Sequence, residues 1–306
     1  MLKVLLIGSA GNIGVALAEY LRRGRNTVIE VDIQPNNKPN YFVADINHPL
    51  DLLSAFETKP DVVVLLAAMV SRVTCEQSGS LAIATNLGGL NNVIQLCKYY
   101  DCPLVYLSTS EVYGNTDKKM REDDKDLHPN NRYGLTKLIG EQLVEYEVRE
   151  HRLAAITVRP FMIYCENETH GDHRSALIRF AVNIAAGKPI EVHEGSQRGW
   201  LHLDDAVAAF SRVIHMAAHF IGGRYEIFNI GNDSSWAMER VARMICREFD
   251  ADESLIKIVP QPGRMTLRKC PDISKQKELL GITPKVGLRE GIKRLCDHIK
   301  EEQGCK

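Results

Sequence analysis

The sequence predicts an α/β fold built around a doubly wound parallel sheet. Short apolar runs rich in Val, Ile and Leu alternate with helical patterns through the first half of the chain. This alternation is typical of parallel strands that are buried on both faces and joined by crossover helices. A glycine-rich turn, GSAGNIG, directly follows the first apolar run. With 306 residues, the chain is long enough to bury a sizeable core.

Five apolar runs are predicted strands of the first half, and a sixth lies further along the chain. They are KVLLIG, NTVIEVD, DVVVLLAA, PLVYLS, AAITVRP and YEIFNIG. Between them, amphipathic patterns predict helices over 13–23, 81–99 and 133–150. The second half is less regular, with helices predicted near 176–186, 235 and 288. No linker rich in Gly, Ser or Pro separates the halves, so a second domain is expected to be small and closely packed.

Composition and charge exclude several classes of protein. The net charge of −1 argues against a nucleic-acid or anionic-membrane surface. The longest apolar run, over 62–70, is far shorter than the roughly 18 residues that span a bilayer. Eight cysteines without a CxxC pair predict the reduced thiols of a cytoplasmic protein. His170 and His173 lie in a polar stretch with no third ligand, so no metal site is expected.

The glycine turn predicts a dinucleotide-binding loop. Gly8 permits a tight turn, Gly11 lets the backbone approach a pyrophosphate, and Gly14 allows close contact between helix and strand. The helix that follows offers unpaired N–H groups to the phosphates. Asp32 ends the second strand, where a carboxylate bonds the ribose hydroxyls of NAD and repels the extra phosphate of NADP. The alternative is a glycine turn with a purely structural role.

A second cluster of chemistry-bearing residues follows the predicted fourth strand. Tyr133 and Lys137 are four positions apart on a predicted helix and therefore share one face. A phenol with a pKa near 10 is a poor base, and a neighbouring ammonium together with the positive nicotinamide ring of NAD is expected to lower that pKa. Thr109, at a strand end, is placed to hydrogen-bond the same substrate hydroxyl. The alternative is a solvated Tyr/Lys pair on a helix surface.

These motifs stand in the order found in one family. After the glycine turn and Asp32 come DI at 45–46, LLAA at 65–68, STSEVYG at 108–114 and YGLTK at 133–137. The chain resembles the extended short-chain dehydrogenases/reductases, in particular the NAD-dependent epimerase/dehydratase group that modifies nucleotide sugars. The resemblance continues over VRPF at 158–161, WLHLDDAV at 200–207 and FNIG at 228–231.

The resemblance implies a Rossmann-type NAD-binding domain and a smaller α/β C-terminal substrate domain. The first would comprise 1–159 with about 204–230, and the second about 160–203 with 231–306. It also implies a homodimer through the helices around 81–99 and 133–150. Besides the glycines and Asp32, the implied NAD contacts are Asn12, Ile13, Asp45, Ile46, Ala67, Ala68, Tyr133 and Lys137.

The implied reaction begins with oxidation of the sugar at C4. Tyr133, helped by Thr109, would remove the C4 hydroxyl proton while the hydride passes to NAD. The 4-keto sugar could then be re-reduced after rotation, lose water, or lose CO₂ as in UDP-glucuronate decarboxylases. In dehydratases of the group the place of Glu111 supplies a catalytic carboxylate, although Glu111 could instead serve only to hold a loop. A non-catalytic NAD sensor is a further alternative, which the complete Thr109, Tyr133 and Lys137 set disfavours.

Three positions are implied to contact the nucleotide sugar: Ser110, Arg198 beside the diphosphate, and Arg268. Lys269 is an equivalent candidate to Arg268, because the register there is open by one residue. The chain departs from the family pattern at Met162, where asparagine is usual, and at Cys165 and Glu166, where Gly-Pro is usual.

Overall fold

The computed structural model describes residues 1–168, 175–261 and 266–304. The strands are β1 (Lys3–Ile7), β2 (Thr27–Asp32), β3 (Tyr41–Val43), β4 (Val62–Leu65), β5 (Leu104–Leu107), β6 (Ala155–Pro160), β7 (Ile163–Tyr164), β8 (Ile190–His193), β9 (Gln197–Gly199), β10 (Leu201–His202), β11 (Tyr225–Ile230), β12 (Ser235–Ala237), β13 (Ile256–Val259) and β14 (Arg268–Lys269).

The helices connect these strands. They are α1 (Asn12–Arg23), α2 (Leu53–Phe56), α3 (Arg72–Gln77), α4 (Gly79–Ile83), α5 (Leu90–Tyr99), α6 (Arg132–His151), α7 (Ala176–Ala185), α8 (Leu203–Ala217), α9 (Met238–Glu248), α10 (Ser274–Leu280) and α11 (Leu288–Gly304). A π-helical segment, Ala84–Gly89, joins α4 to α5. Short 3₁₀ turns occur at Pro49–Leu52, Ser110–Tyr113 and Glu253–Leu255.

Seven parallel strands form the main sheet, in the order β3-β2-β1-β4-β5-β6-β11. This confirms the predicted Rossmann-type doubly wound fold and all six predicted strands. β3 was not predicted, because three residues are too few to show a strand pattern. The strand order reverses between β1 and β4, and in such sheets ligands bind in the crevice at the carboxyl ends of the strands.

The sheet is buried on both faces, which explains its continuous apolar strands. In β1, Val4 and Leu6 pack into the core beneath α1 and α8, whereas Leu5 and Ile7 pack into the core beneath α5 and α6. Alternate residues of a strand point to opposite faces, so both sets must be apolar.

A third apolar cluster joins α7, α9 and α11 with β8, outside the main sheet. Three small sheets accompany it: β7 with β10, β8 with β13, and β9 between β12 and β14. The pairing of β14 with β9 places Lys269 beside Arg198. This small sheet therefore carries two predicted substrate residues toward the edge of the main sheet.

Within the described ranges no helix has both the length and the apolar character needed to cross a membrane. The seven cysteines in these ranges are free thiols. No cluster of three or more His, Cys, Asp or Glu residues there is arranged to hold a metal ion. His170, His173 and Cys305 lie outside the described residues.

Candidate active site

The loop between β1 and α1 requires glycine at two of its three glycine positions. Gly8 has a φ of +93°, and a Cβ there would lie 2.5 Å from the backbone nitrogen of Ala67. A Cβ on Gly14 would lie 2.4 Å from the carbonyl oxygen of Gly8. Gly11 differs, because among the described residues a Cβ there would meet only the Gly8 oxygen, at 3.7 Å. Gly11 thus borders open space over the start of α1, where no side chain caps the N–H groups.

Asp32 is held beside this loop at the carboxyl end of β2. Its carboxylate accepts hydrogen bonds from the backbone N–H groups of Ala10, at 2.9 Å, and Gln34, at 3.0 Å. Ala67 and Ala68 follow β4 on the other side of the loop, and the Ala67 N–H donates to the Ile7 carbonyl at 3.0 Å. The structure therefore brings these predicted NAD contacts to one edge of the sheet.

Asp45 and Ile46 follow β3 at the same edge. The Asp45 carboxylate accepts hydrogen bonds from the backbone and side-chain nitrogens of Asn47, both at 2.9 Å. Ile46 is buried against Gly89, where an added Cβ would lie 2.6 Å from the isoleucine side chain. In the protein alone Asp45 thus orders its own turn, and Ile46 forms part of the core.

A cavity of about 730 Å³ opens at the carboxyl ends of the central strands. This volume suits a ligand of the size of a nucleotide sugar or a dinucleotide fragment. Its lining includes five of the predicted site residues, together with polar residues from α3, α7, β14 and the segment just before α6. The lining residues are Ile13, Val70, Arg72, Val73, Glu76, Thr109, Ser110, Glu111, Asn130, Asn131, Tyr133, Pro160, Met162, Ile163, Arg179 and Lys269.

Thr109, Tyr133 and Lys137 converge where β5 meets α6. Thr109 begins the 3₁₀ turn after β5, and its hydroxyl accepts a hydrogen bond from the Glu111 N–H at 3.2 Å. The side chain of Asn131 accepts from the Gly134 N–H at 2.9 Å, so α6 begins just before Tyr133. One turn along α6, the Lys137 ammonium donates to the Leu107 carbonyl at 2.8 Å.

The pKa of Tyr133 is raised in the protein without NAD, so the protein's own groups do not produce the expected lowering. Burial disfavours the phenolate and is the largest effect, while interaction with the Thr109 hydroxyl partly opposes it. Burial also lowers the pKa of Lys137 to about 7, although the nearby Glu141 carboxylate acts in the opposite direction. The spacing of Tyr133 and Lys137 along a helix predicts their proximity but not the extent of their desolvation.

A buried polar network supports α6 from beneath and was not predicted. Arg159 of β6 contacts the Glu141 carboxylate with two nitrogens, the shorter distance being 2.7 Å, and Ser108 donates to the same carboxylate. Arg159 also donates to the Tyr113 hydroxyl at 2.9 Å, which lies 2.7 Å from the Asn229 side-chain oxygen. The network ties α6 to β5, β6 and β11, and so fixes the helix that carries Tyr133 and Lys137.

Glu111 is paired rather than free. One carboxylate oxygen contacts the Lys269 ammonium, and the other accepts a hydrogen bond from the Asn131 side chain at 2.8 Å. Burial by itself would raise the pKa of Glu111, but the charges of Lys269 and Arg72 and the two hydrogen bonds lower it to about 2. Glu111 is therefore ionised throughout the neutral range.

The predicted substrate residues lie in three different environments. Ser110 lines the cavity. Arg198 is buried and donates to the carbonyl oxygens of Gln197 at 2.7 Å, Leu267 at 2.8 Å and Thr266 at 2.8 Å. Its hydrogen bonds therefore hold β14 against β9. Arg268 is exposed and outside the cavity, while its neighbour Lys269 lines it, so the register places Lys269 at the site.

Several cavity residues had no signal in the sequence. Arg72 and Glu76 come from α3 and Arg179 from α7, none of them within a motif. Asn131 was detectable as a residue that commonly begins helices. Of the departures from the family pattern, Met162 lines the cavity with a φ of +38°. Glu166 instead contacts His202 at 3.2 Å, away from the cavity lining.

Residues 4–231 match the NAD-dependent epimerase/dehydratase family. The chain belongs to this family. Two curated relatives cover nearly the whole chain. Protein MJ1055 of Methanocaldococcus jannaschii is 30% identical over 98% of this chain and 97% of its own, and the UDP-N-acetyl-alpha-D-glucosaminuronate decarboxylase of Bacillus cytotoxicus is 27% identical over 98% of each.

The fold is shared with solved structures. That of MoeE5 in complex with UDP-glucuronic acid and NAD superposes with a TM-score of 0.86 and 24% identity, covering 98% of this chain and 99% of MoeE5.

NAD is the cofactor of the family, and the residues present fit it. Gly11 leaves room for a pyrophosphate over the free N–H groups of α1, and the fixed Asp32 carboxylate lies beside the same loop. Gly8, Gly14 and Ala67 are too close together to admit larger residues at the two glycines. The loop and Asp32 would hold the dinucleotide portion of the cofactor.

Proposed function

We propose that the protein oxidises C4 of a nucleotide-linked sugar to give a 4-keto sugar. The observation that carries this proposal is that Thr109 and Tyr133 line one cavity beside the dinucleotide loop, with the buried Lys137 ammonium one turn further along the helix of Tyr133. Bound NAD would supply the hydride acceptor. A protein that only senses NAD needs no phenol and hydroxyl side by side at this cavity with a buried ammonium next to them, so their arrangement supports an enzyme.

Each residue has a separate role in this proposal. Tyr133 takes the proton of the C4 hydroxyl, and Thr109 holds that hydroxyl through a hydrogen bond. Because burial raises the pKa of Tyr133, the phenolate needs positive charge nearby, and Lys137 is the cation one turn along the same helix face. The Glu141 and Arg159 pair positions that helix.

The substrate class is supported by the relatives and by the cavity. The Bacillus cytotoxicus relative is named for a UDP-linked sugar acid, and MoeE5 holds UDP-glucuronic acid. The C-terminal part of the chain, about 160–203 and 231–306, is proposed to bind the nucleotide. Arg179 of α7 lines the cavity from this part and offers a cation to the diphosphate. We also propose a cytoplasmic homodimer, with free thiols consistent with a reducing compartment.

The fate of the 4-keto sugar depends on Glu111. A carboxylate with a pKa of about 2 is a weak base, so a dehydration that needs Glu111 to remove the C5 proton is the least supported outcome. Epimerisation at C4 needs no such base and is the main candidate. Decarboxylation is the second candidate. When CO₂ leaves, the electron pair of the C5–C6 bond stays on the keto sugar as an enolate, and hydrogen bonds from the Thr109 hydroxyl and the Tyr133 phenol to the C4 oxygen can stabilise its charge.

The experiment is incubation of the NAD-loaded protein with sugars linked to uridine, thymidine and guanosine diphosphates, followed by NMR and mass spectrometry. Epimerisation leaves the mass unchanged, dehydration removes water, and decarboxylation removes CO₂. Tyr133→Phe should lower the rate at least about 10²-fold and keep NAD bound. Tyr146→Phe, on an exposed position of the same helix, is the matched control. A protein that binds NAD but converts no sugar would contradict the proposal.

A further inference from the structure

The wall of the cavity beside Glu111 carries an excess of positive charge. Arg72, Arg198 and Lys269 all act electrostatically on the Glu111 carboxylate and on one another. Together with the Glu76 carboxylate, which also lines the cavity, three positive charges and two negative charges leave an excess of one. Lys269 and Arg198 are 5% and 8% exposed, so solvent screens these two charges weakly.

Arg72 is an exposed residue at the cavity, without an internal partner among the described residues. It lines the cavity from the first turn of α3, and no hydrogen bond or ion pair joins its guanidinium to another residue in the described ranges. The nearest acid on the same helix face is Glu76, whose carboxylate instead accepts a hydrogen bond from the Arg132 N–H at 2.8 Å. Arg72 is therefore available to an anionic ligand.

We infer that Arg72, together with Lys269, binds an acidic group on the sugar, and that the substrate is a nucleotide-linked sugar acid. This inference rests on the proposed C4 oxidation. Thr109 and Tyr133 mark the position of C4, and Glu111 lies two residues beyond Thr109 in the same turn. In a hexopyranose C6 is attached to C5, the neighbour of C4, whereas the diphosphate is on C1 across the ring. A carboxylate at C6 thus falls near the cationic wall, whereas a neutral sugar leaves the excess positive charge of the wall uncompensated.

The inference is tested by calorimetry on the NAD-loaded protein with two matched ligands, glucose and glucuronate. Each is carried on the nucleotide that gives turnover in the panel described above. The wild-type protein should bind the glucuronate ligand more tightly. Arg72→Gln should lose about 10- to 100-fold in affinity for it, as for a hydrogen bond between charged groups, and less than about 3-fold for the glucose ligand. Arg72→Lys keeps the charge and should retain most of the preference.

Arg179→Gln is the comparison variant, because a contact with the diphosphate weakens both ligands equally. An equal loss of both ligands in Arg72→Gln would place Arg72 on the diphosphate and overturn the inference. A wild-type protein that oxidises a neutral nucleotide sugar at C4 and binds the acid less tightly would also overturn it, while leaving the proposed function intact. If neither ligand is bound and no sugar is converted, the proposed function fails and the inference fails with it.

Discussion

The Lys269 ammonium is in direct contact with the Glu111 carboxylate, although the two residues are 158 positions apart in the chain. Glu111 belongs to the turn after β5, and Lys269 to β14 of a separate small sheet. The contact joins the edge of the main sheet to the C-terminal part of the chain at the cavity wall. The Lys269 charge also keeps Glu111 ionised, and Glu111 is the residue that the sequence indicates as a possible catalytic base.

Glu111→Gln is expected to retain most of the C4 epimerisation rate, within about 3-fold, because rotation and re-reduction of the keto sugar need no base at C5. In D₂O the wild-type enzyme should place no deuterium at C5 of the epimerised product, as read by NMR. A rate loss of about 10²-fold together with deuterium at C5 would instead make Glu111 the base of an elimination.

Lys269→Met should destabilise the protein at pH 7, because it leaves the Glu111 carboxylate buried without its cation. Loss of one partner of a buried ion pair costs about 3–5 kcal/mol in the free energy of unfolding, measured by urea denaturation. The matched control is Lys277→Met, which breaks the exposed pair with Asp233 and should cost less than about 1 kcal/mol. Adding Glu111→Gln to Lys269→Met should recover stability, because it removes the unpaired carboxylate. If stability is not recovered, Glu111 and Lys269 do not form a buried ion pair.

The same pair predicts acid sensitivity. The pKa of Glu111 in the folded protein is below its ordinary value of 4.5. The ionised carboxylate therefore stabilises the fold to its full extent above pH 4.5. The contribution is lost as pH falls from about 4.5 toward 2. Urea unfolding at several pH values should show a smaller loss over this window in Glu111→Gln than in the wild-type protein.

Lys137 predicts the opposite dependence on pH. Burial lowers its folded pKa to about 7 from an ordinary value of 10.5, so the unfolded chain binds more protons between these values. In the cofactor-free protein, Lys137 should therefore make the free energy of unfolding increase as the pH rises above 7. Lys137→Met should lack that contribution and be more stable at pH 7. Lys188→Met, at an exposed position, serves as the control. If the free energy of unfolding has the same pH profile in the wild-type protein and both variants, the pKa of Lys137 is not lowered by burial.

Two glycine substitutions should separate folding from cofactor binding. Gly11→Ala adds a Cβ whose only near contact is 3.7 Å away, so the melting temperature should change little while NAD binding is lost. Gly14→Ala places a Cβ 2.4 Å from the Gly8 carbonyl oxygen, so it should lower both stability and NAD affinity. Calorimetry and thermal unfolding give the two readings. Normal NAD affinity in Gly11→Ala would show that the pyrophosphate lies elsewhere.

The proposed homodimer follows from exposed apolar side chains on α4 and α6. Leu81 and Ile83 are each 53% exposed, Leu135 is 47% exposed and Ile139 is 40% exposed. Light scattering at micromolar concentration should give twice the chain mass of 34.3 kDa, and Leu135→Glu with Ile139→Glu should give the monomer. Leu50→Glu, on a 77% exposed residue outside these helices, should stay dimeric. A monomeric wild-type protein would refute the proposal.

The sequence by itself determined the features that depend on neighbouring residues. Six of the seven strands of the main sheet, the glycine spacing and the Tyr133 and Lys137 pair are all local patterns, and each lies in the predicted element. Asp32 was predictable because it ends a strand that follows the glycine turn. Such features follow from the periodicity of strands and helices, which is expressed over a few residues.

Only the tertiary structure decided which distant residues meet at the cavity. Successive residues of β14 point to opposite faces, so its register selects Lys269 over Arg268. Arg72 and Arg179 enter the site through the packing of separate helices and belong to no motif. The protonation behaviour of Tyr133, Lys137 and Glu111 follows from desolvation and from charges far away in the chain. These quantities depend on burial and distance, which exist only once the chain is folded.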